Sequence, residues 1–379
     1  MIALSNAWGL FQIIIFLGYG TVSLPKACLK SADLAKQHEH ALFRVTVCEE
    51  NLQNSRIELE DIIQVVLTVQ KGITDDVLRG HCEEMLSQCP LEAVNRLQPY
   101  RDRSQVAARY RAGDHEALVA LNAQVKQQLM ETKRREVTYE QTLENAFFIE
   151  DVLKNCGNDQ RVLKSSLMTP REGLLGSVLD RVEFFWHTLL KPRVFSILAV
   201  VAIGFSLFLV AGELILLFHL NLPLLDVLPG AARVLVTVSL LAYLSLCVYY
   251  GLFNLKVTSF YELHGSQQTD AFSLLYSANF LTKLAAPLCF NFLNVLHLEG
   301  TAFQRTLGVG SGYQAVPLIG DEFQKLFPAT LVLLVLCNAF DLWSKLMVCL
   351  GLDEFTFAAV MDAQKIEDGR ELARIGKFD

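Results

Sequence analysis

The stretch VFSILAVVAIGFSLFLVAGELILLF, Val194 to Phe218, carries one charged residue, Glu213. A helix needs about 20 apolar residues to cross a hydrocarbon core about 30 Å thick, so this stretch reads as a membrane span. Four others pass the same test. Ile2–Leu24 and Val234–Leu255 carry no charge, Ala271–Leu296 carries only Lys283, and Leu326–Leu350 carries Asp341 and Lys345. Each must be helical, because lipid offers no partner to a free backbone N–H or C=O. The whole chain of 379 residues is 52% hydrophobic and 19% charged, against about a quarter charged in soluble domains. Its charge is also uneven: 48 of its 73 Lys, Arg, Asp and Glu residues lie between Pro25 and Arg193. These figures exclude a single soluble globule, a disordered chain, a collagen and a small disulfide scaffold. They predict an all-α, polytopic membrane helix bundle of five spans. The expected domains are a first span (1–24), a water-exposed helical segment (25–193), a four-span bundle (194–350) and a tail (351–379).

Orientation follows from Lys and Arg near the span ends, which favour the cytosolic side. One side has Lys26, Lys30, Lys191, Arg193, Lys256, Arg370, Arg374 and Lys377; the other has Arg233, Arg305 and Lys325. The N-terminus is therefore expected outside, with segment 25–193 and the C-terminus in the cytosol. The first span lacks a basic n-region and a small-residue cleavage site, so it reads as a retained span and not a signal peptide.

Segment 25–193 carries a heptad stripe. Ala41, Val45, Cys48, Leu52, Ser55, Leu59, Ile62, Val66 and Val69 alternate steps of four and three, the pattern of a coiled-coil seam. A second helix fits Asp114 to Asn155, with Leu118, Leu121, Val125 and Leu129 on its seam, an interruption over Thr132–Glu136, and Tyr139, Leu143, Ala146 and Ile149 beyond. Two helices of matching length, about 60 Å at 1.5 Å per residue, return the chain to the membrane as an antiparallel hairpin. A short helix over Thr74–Cys89, stopped by Pro90, and a loop at Arg101–Ser104 form the distal tip, the expected partner surface. After a linker at Pro170–Gly176, Leu179–Leu190 reads as an amphipathic helix at the lipid interface.

Ionisable residues inside spans are costly and mark function by default. Lys283 is followed by Pro287, which leaves the Lys283 carbonyl without its usual helix donor. Lys283, Pro287, Asn291 and Asn294 fall on one helical face, expected to point into the bundle, with Leu281, Leu288 and Phe292 on the lipid side. Glu213 and Asp341 are the candidate partners of Lys283, and Asp341 can instead meet Lys345. These residues, Glu213, Lys283, Asn291 and Asp341, form a candidate intramembrane polar network, read either as a ligand or ion site or as packing glue. No catalytic motif is present: there is no G-x-S-x-G, Walker loop or H-E-x-x-H. The nine cysteines include no C-x-x-C, and His38-Glu39-His40 has no ligand spacing, so no metal, disulfide framework or cofactor is expected. A net charge of −7 without a basic stripe argues against nucleic acid.

Several motifs occur together and in order: Asn6-Ala7-Trp8-Gly9-Leu10-Phe11, Leu17-Gly18-Tyr19-Gly20 and Pro25; Ala146 to Val152; Gln268-Thr269-Asp270-Ala271-Phe272-Ser273-Leu274-Leu275; and Pro287 to Leu293. On these residues the chain resembles the limb-region-1-like family of polytopic membrane proteins. Glu213 and the basic residue at Lys283 also look like family positions; Asp341 does not. The resemblance implies about nine spans, an outside N-terminus and a cytosolic C-terminus, so the chain is expected to be a form lacking about four spans ahead of Ile2. It implies no catalytic residues. One branch of the family is linked to G-protein-coupled-receptor signalling at the plasma membrane; others are linked to lipocalin uptake and lysosomal cobalamin export. The expectation is a non-enzymatic protein of receptor or signalling type, at the plasma membrane in preference to endolysosomes. It would meet a cytosolic or membrane protein partner through segment 25–193. The alternative is a small-solute transporter or transport partner with a polar path around Lys283, Pro287 and Asn291.

The Lys/Arg bias makes a topological prediction. A glycosylation acceptor placed at Gly113 stays unmodified in intact cells; glycan addition there, read as a mass shift, would reverse the orientation.

Overall fold

The computed structural model describes residues 2–73, 75–97, 115–157, 163, 174–218, 229–255, 263–295, 300–302, 321–342 and 363–376. The described residues form helices α1 (Ile2–Ala32), α2 (Leu34–Gly72), α3 (Asp76–Ser87), α4 (Leu91–Arg96), α5 (His115–Asn155), α6 (Leu174–Phe185), α7 (Lys191–Leu217), α8 (Gly230–Asn254), α9 (Ala271–Val295), α10 (Asp321–Ala339) and α11 (Ala363–Ile375). Among them there is no strand.

Helix α1 is the centre of the bundle, with α7, α8, α9 and α10 packed around it. The core joins Ile13 and Leu17 of α1 to Leu209, Leu240, Leu244, Leu284 and Leu331, all fully buried. Of the most apolar part of α1, 61% is buried, against 17% in the run containing α7 and 28% in α8. Those two helices present Ile197, Val200, Leu207, Val234, Leu235 and Val238 outward, the arrangement lipid tails accept. Lipid is as apolar as leucine, so burial drives helix association weakly there and close packing of small residues takes over. A Cβ on Gly20 would lie 2.0 Å from the Cys247 carbonyl oxygen, and one on Gly251 would lie 2.4 Å from that of Phe16. These two contacts let the α1 and α8 backbones touch.

Three helical runs are long and apolar enough to cross a membrane: Trp8–Ala32, Val178–Leu217 and Gly230–Asn254. The 25-residue α9 and the apolar part of α10, Phe327–Ala339, complete the bundle. Two expectations change. The helix before the second span does not lie apart from it: α6 continues into α7 through a π-turn at Trp186–Leu190, where the Lys191 N–H bonds the Trp186 carbonyl just before Pro192, which has no N–H to give. The helix expected over Leu326–Leu350 ends at Ala339, and Asp341 has φ 50°; residues 343–350 lie outside the described residues.

In the charged segment after α1, Asp33 caps α2 by accepting from Ala35 N–H at 3.1 Å and Lys36 N–H at 3.2 Å. Helices α2 and α5 pair in opposite order. Ala41 and Val45 meet Ala146 and Ile149; Cys48 lies 3.6 Å from the Thr142 hydroxyl; Ser55 and Thr132 hydroxyls bond at 2.9 Å; and Leu59 to Val69 pack with Leu118, Leu121 and Val125. The seam passes through Ile63, fully buried, where the heptad stripe placed Ile62, which is only half-buried. Asp75 accepts from Val77 N–H at 3.0 Å and starts α3, whose Cys82, Met85 and Leu86 close the distal end of the seam. The loop expected at Arg101–Ser104 lies outside the described residues, as does most of the linker at 170–176. The tail is not free: α11 docks on α2 where a Gly369 Cβ would lie 2.2 Å from the Leu42 carbonyl oxygen. Lys365 pairs there with Glu50 at 2.7 Å.

The α1–α8 contact is testable by thermal unfolding of the detergent-solubilised chain. Gly20→Ala costs about 1–3 kcal/mol because the methyl meets a backbone carbonyl. Gly204→Ala, with nothing within 4 Å, is neutral or stabilises by up to about 1 kcal/mol through helix propensity.

Candidate functional site

The four residues of the expected polar network do not come together. Glu213 of α7 is fully buried, and among the described residues neither carboxylate oxygen has a hydrogen-bond partner. Asn291 of α9, also buried, is the polar side chain that faces it, but its Nδ2 likewise has no partner within hydrogen-bond geometry. Lys283 is exposed on the outside of the bundle and makes no ion pair with Glu213 or Asp341. The expectation that it faces inward is therefore corrected. The inward stripe of α9 is Leu284, Pro287, Leu288 and Asn291, one residue further along, and Leu288 and Phe292 are buried where they were expected to face lipid. The reason is Pro287, whose Cγ would lie 2.8 Å from a Cβ on Gly9. That notch on α1 sets the rotation of α9 and turns Lys283 away. The side chain of Asn294 lies outside the described residues.

Asp341 pairs with Lys26 at 3.2 Å and not with Lys283; Lys345 lies outside the described residues. The two side chains are 43% and 64% exposed, so the pair contributes about 0–1 kcal/mol. Lys26 also donates to the Asn338 carbonyl at 3.3 Å, and Asn338 Nδ2 donates to the Tyr19 carbonyl at 2.9 Å. The end of α10 is thereby tied to α1 where α1 leaves the bundle. Deeper in the bundle, Ser206 donates to the Thr21 carbonyl at 2.6 Å and shares a hydrogen bond with the Tyr243 hydroxyl at 2.5 Å, linking α7, α1 and α8.

The remaining motif residues have mechanical places. Trp8 is exposed and stacks on Phe11. A Cβ on Gly18 would lie 2.9 Å from Leu334 Cβ, so Gly9, Gly18 and Gly20 face α9, α10 and α8 in turn. Gln268, Thr269 and Asp270 build a joint between hairpin and bundle. Arg134 of α5 donates from Nε to the Gln268 carbonyl at 3.1 Å, and its Nη2 lies 3.7 Å from Asp270 Oδ1. Thr269 Oγ1 accepts from the His264 N–H at 2.8 Å and donates to the His264 carbonyl at 2.7 Å. Asp270 caps α9, accepting from the Ser273 hydroxyl at 2.6 Å and the Ser273 N–H at 3.2 Å. The Ser273 bonds, helped by the Arg134 guanidinium, hold the Asp270 carboxyl below its usual pKa. The loop pays for this arrangement in strain: Ser266 and Gln267 have φ of 49° and 62°, each costing on the order of 1 kcal/mol or more. Gln141 of α5 holds Ser266 by a hydrogen bond. In the sequence Arg134 falls in the interruption of the seam at Thr132–Glu136, and that interruption is the signal that α5 there meets something besides α2.

Among the described residues no group of three His, Cys, Asp or Glu side chains could hold a metal. The arrangement ties the hairpin to the bundle; no nucleophile–base pair is assembled among the described residues of the joint.

Residues 1–343 match the family described as LMBR1-like membrane protein. The chain is 28% identical to the "G-protein coupled receptor-associated protein LMBRD2" of Gallus gallus over 98% of its own length and 57% of that protein. The human protein of the same name is also 28% identical, with the same coverage. The "LMBR1 domain-containing protein 2 homolog A" of Dictyostelium discoideum is 27% identical over 98% of this chain and 51% of that one. The chain thus spans about half the length of these relatives. No solved structure matches it.

The joint predicts a coupling. In a double-mutant cycle of Arg134→Ala and Asp270→Ala, the coupling near neutral pH is up to about 1 kcal/mol of thermal stability. Because the folded-state pKa of Asp270 is lowered, its contribution is complete above the unfolded value of 3.8 and is lost as pH falls through the folded value. The cycle repeated in acid should show no coupling.

Proposed function

The chain belongs to the LMBR1-like membrane protein family, and we propose that it is a non-enzymatic, five-span membrane protein that associates with a G-protein-coupled receptor. In this reading the α2–α5 coiled-coil hairpin lies in the cytosol and is the docking element. The N-terminus is outside, the C-terminus cytosolic, and the membrane is the plasma membrane. The observation that carries the proposal is the distal end of the hairpin. Its seam is filled by its own helices, yet Val77, Leu91 and Val119 remain 68%, 72% and 56% exposed. Midway along α5 the hairpin is fixed to the bundle through Arg134. A partner held at the tip would thus act on the membrane helices through a tied element. The names of the relatives support a receptor as that partner. A transport path, the second reading, would have to use Glu213 and Asn291, whose buried oxygen and nitrogen atoms are without hydrogen bonds. Lys283 stands outside it.

The test is resonance energy transfer in living cells between the tagged full chain and a panel of G-protein-coupled receptors. Val77→Asp, Leu91→Asp and Val119→Asp together should weaken a positive pair about fivefold or more, with membrane abundance unchanged. No positive pair, or a signal indifferent to these changes, would remove the hairpin tip as the docking surface.

A further inference from the structure

A cavity of about 1220 Å³ lies where the hairpin base meets the bundle. Its floor is the end of the bundle, including Tyr19, Tyr250 and Leu334; its roof is α5, with Gln141, Thr142 and Asn145. The charge around it is one-sided. Among the described residues, Lys26, Lys30, Lys36, Arg44 and Lys191 line it, with Asp341 the one carboxylate. Asp341 is taken by Lys26, and Lys36 is taken by Asp33 at 3.2 Å. Among the described residues, Lys30, Arg44 and Lys191 make no ion pair. They come from three elements, α1, α2 and the start of α7, so no single helix face explains their convergence. The closeness of two of them registers on His40, also in the lining: burial first, then Lys30 and Arg44, push its pKa down. Uncompensated cations gathered around a cavity raise the local potential for an anion. The volume exceeds that of a typical small-ligand pocket, and an aromatic and aliphatic floor beneath a cationic wall suits an amphiphile.

We propose that this cavity binds a phosphate-bearing headgroup, with Lys30, Arg44 and Lys191 on the phosphates and the apolar floor along Tyr19, Tyr250 and Leu334 receiving what is attached to it. A phosphorylated inositol lipid has this chemistry, and so does its free headgroup. A basic site at the level where α1 and α7 meet the hairpin is where anionic lipid of the cytosolic leaflet would be met. Occupancy would tie the hairpin base to α1 and α7 by charge, beside the Arg134 joint. Placement at the cytosolic leaflet rests on the orientation proposed above; the binding itself is measured with no receptor present and does not depend on receptor association.

The experiment is native mass spectrometry of the detergent-solubilised full chain titrated with phosphatidylinositol bisphosphate, phosphatidylcholine or soluble inositol trisphosphate. Expected is at least about tenfold stronger retention of the bisphosphate lipid than of phosphatidylcholine, lost in the Lys30→Gln, Arg44→Gln, Lys191→Gln variant. The control Arg79→Gln, Lys126→Gln, Lys133→Gln removes the same charge from the hairpin away from the cavity and should retain the lipid. If the triple variant does not fold, Lys30→Gln and Arg44→Gln singly, both at exposed positions, should each weaken retention several-fold. Inositol trisphosphate binding as tightly as the lipid, and through the same three residues, assigns the soluble headgroup; weaker binding assigns the lipid. No preference over phosphatidylcholine, or equal loss in the control, overturns the proposal.

Discussion

The close approach of α1 to its neighbours is the constraint on which the rest of the molecule depends. Gly20 against the Cys247 carbonyl and Gly251 against the Phe16 carbonyl bring two backbones into contact, and Gly9 and Gly18 make room on other faces for Pro287 and Leu334. In water, leucine burial alone would hold such helices together. Between helices that also face lipid, dispersion between closely fitted surfaces must do it, and a single added methyl removes the fit. With α1 fixed in this way, its far end is fixed too, and that end is where Asp33 caps α2 and launches the hairpin.

The hairpin obeys the other regime. Its seam of Val45, Leu52, Ile63, Val66, Leu121 and Val125 is buried from solvent and held by the hydrophobic effect, with a polar step at Ser55 and Thr132 that fixes register at little cost because both hydroxyls are satisfied. Among the described residues the two regimes meet at the α1–α2 turn, at the Arg134 joint and where Phe148 and Val152 of α5 pack against Phe184 and His187 ahead of α7. Strain at Ser266 and Gln267 concentrates at the joint, where Gln141 and Arg134 hold the loop. Strained backbone persists only where surroundings over-determine it, and here the surroundings belong to a different element from the strained loop. Motion of the hairpin against the bundle would therefore act first on that loop.

Much of this was legible from local pattern. The heptad spacing found both long helices and nearly all of the seam, because a buried stripe must repeat at the helix period. It missed at Ile62, since positions three and four residues after Leu59 are equally near its face, and only the partner helix chooses between them. The motif at Gln268–Asp270 was visible as a motif, but its use was not: Arg134 lies 136 residues from Asp270, and no periodicity connects them. The same is true of Lys26 and Asp341, which are 315 residues apart.

The sequence by itself determined that the described elements are helices and which runs are apolar enough for lipid, because these follow from composition and from backbone hydrogen bonds that must be satisfied locally. The tertiary structure decided how far each helix is turned about its own axis. A single residue is worth about 100° of rotation, enough to move Lys283 from the interior to the surface while Asn291 stays inside. That angle is set by the shape of the neighbour, here Pro287 seated in the notch at Gly9, and a one-dimensional pattern contains no record of it.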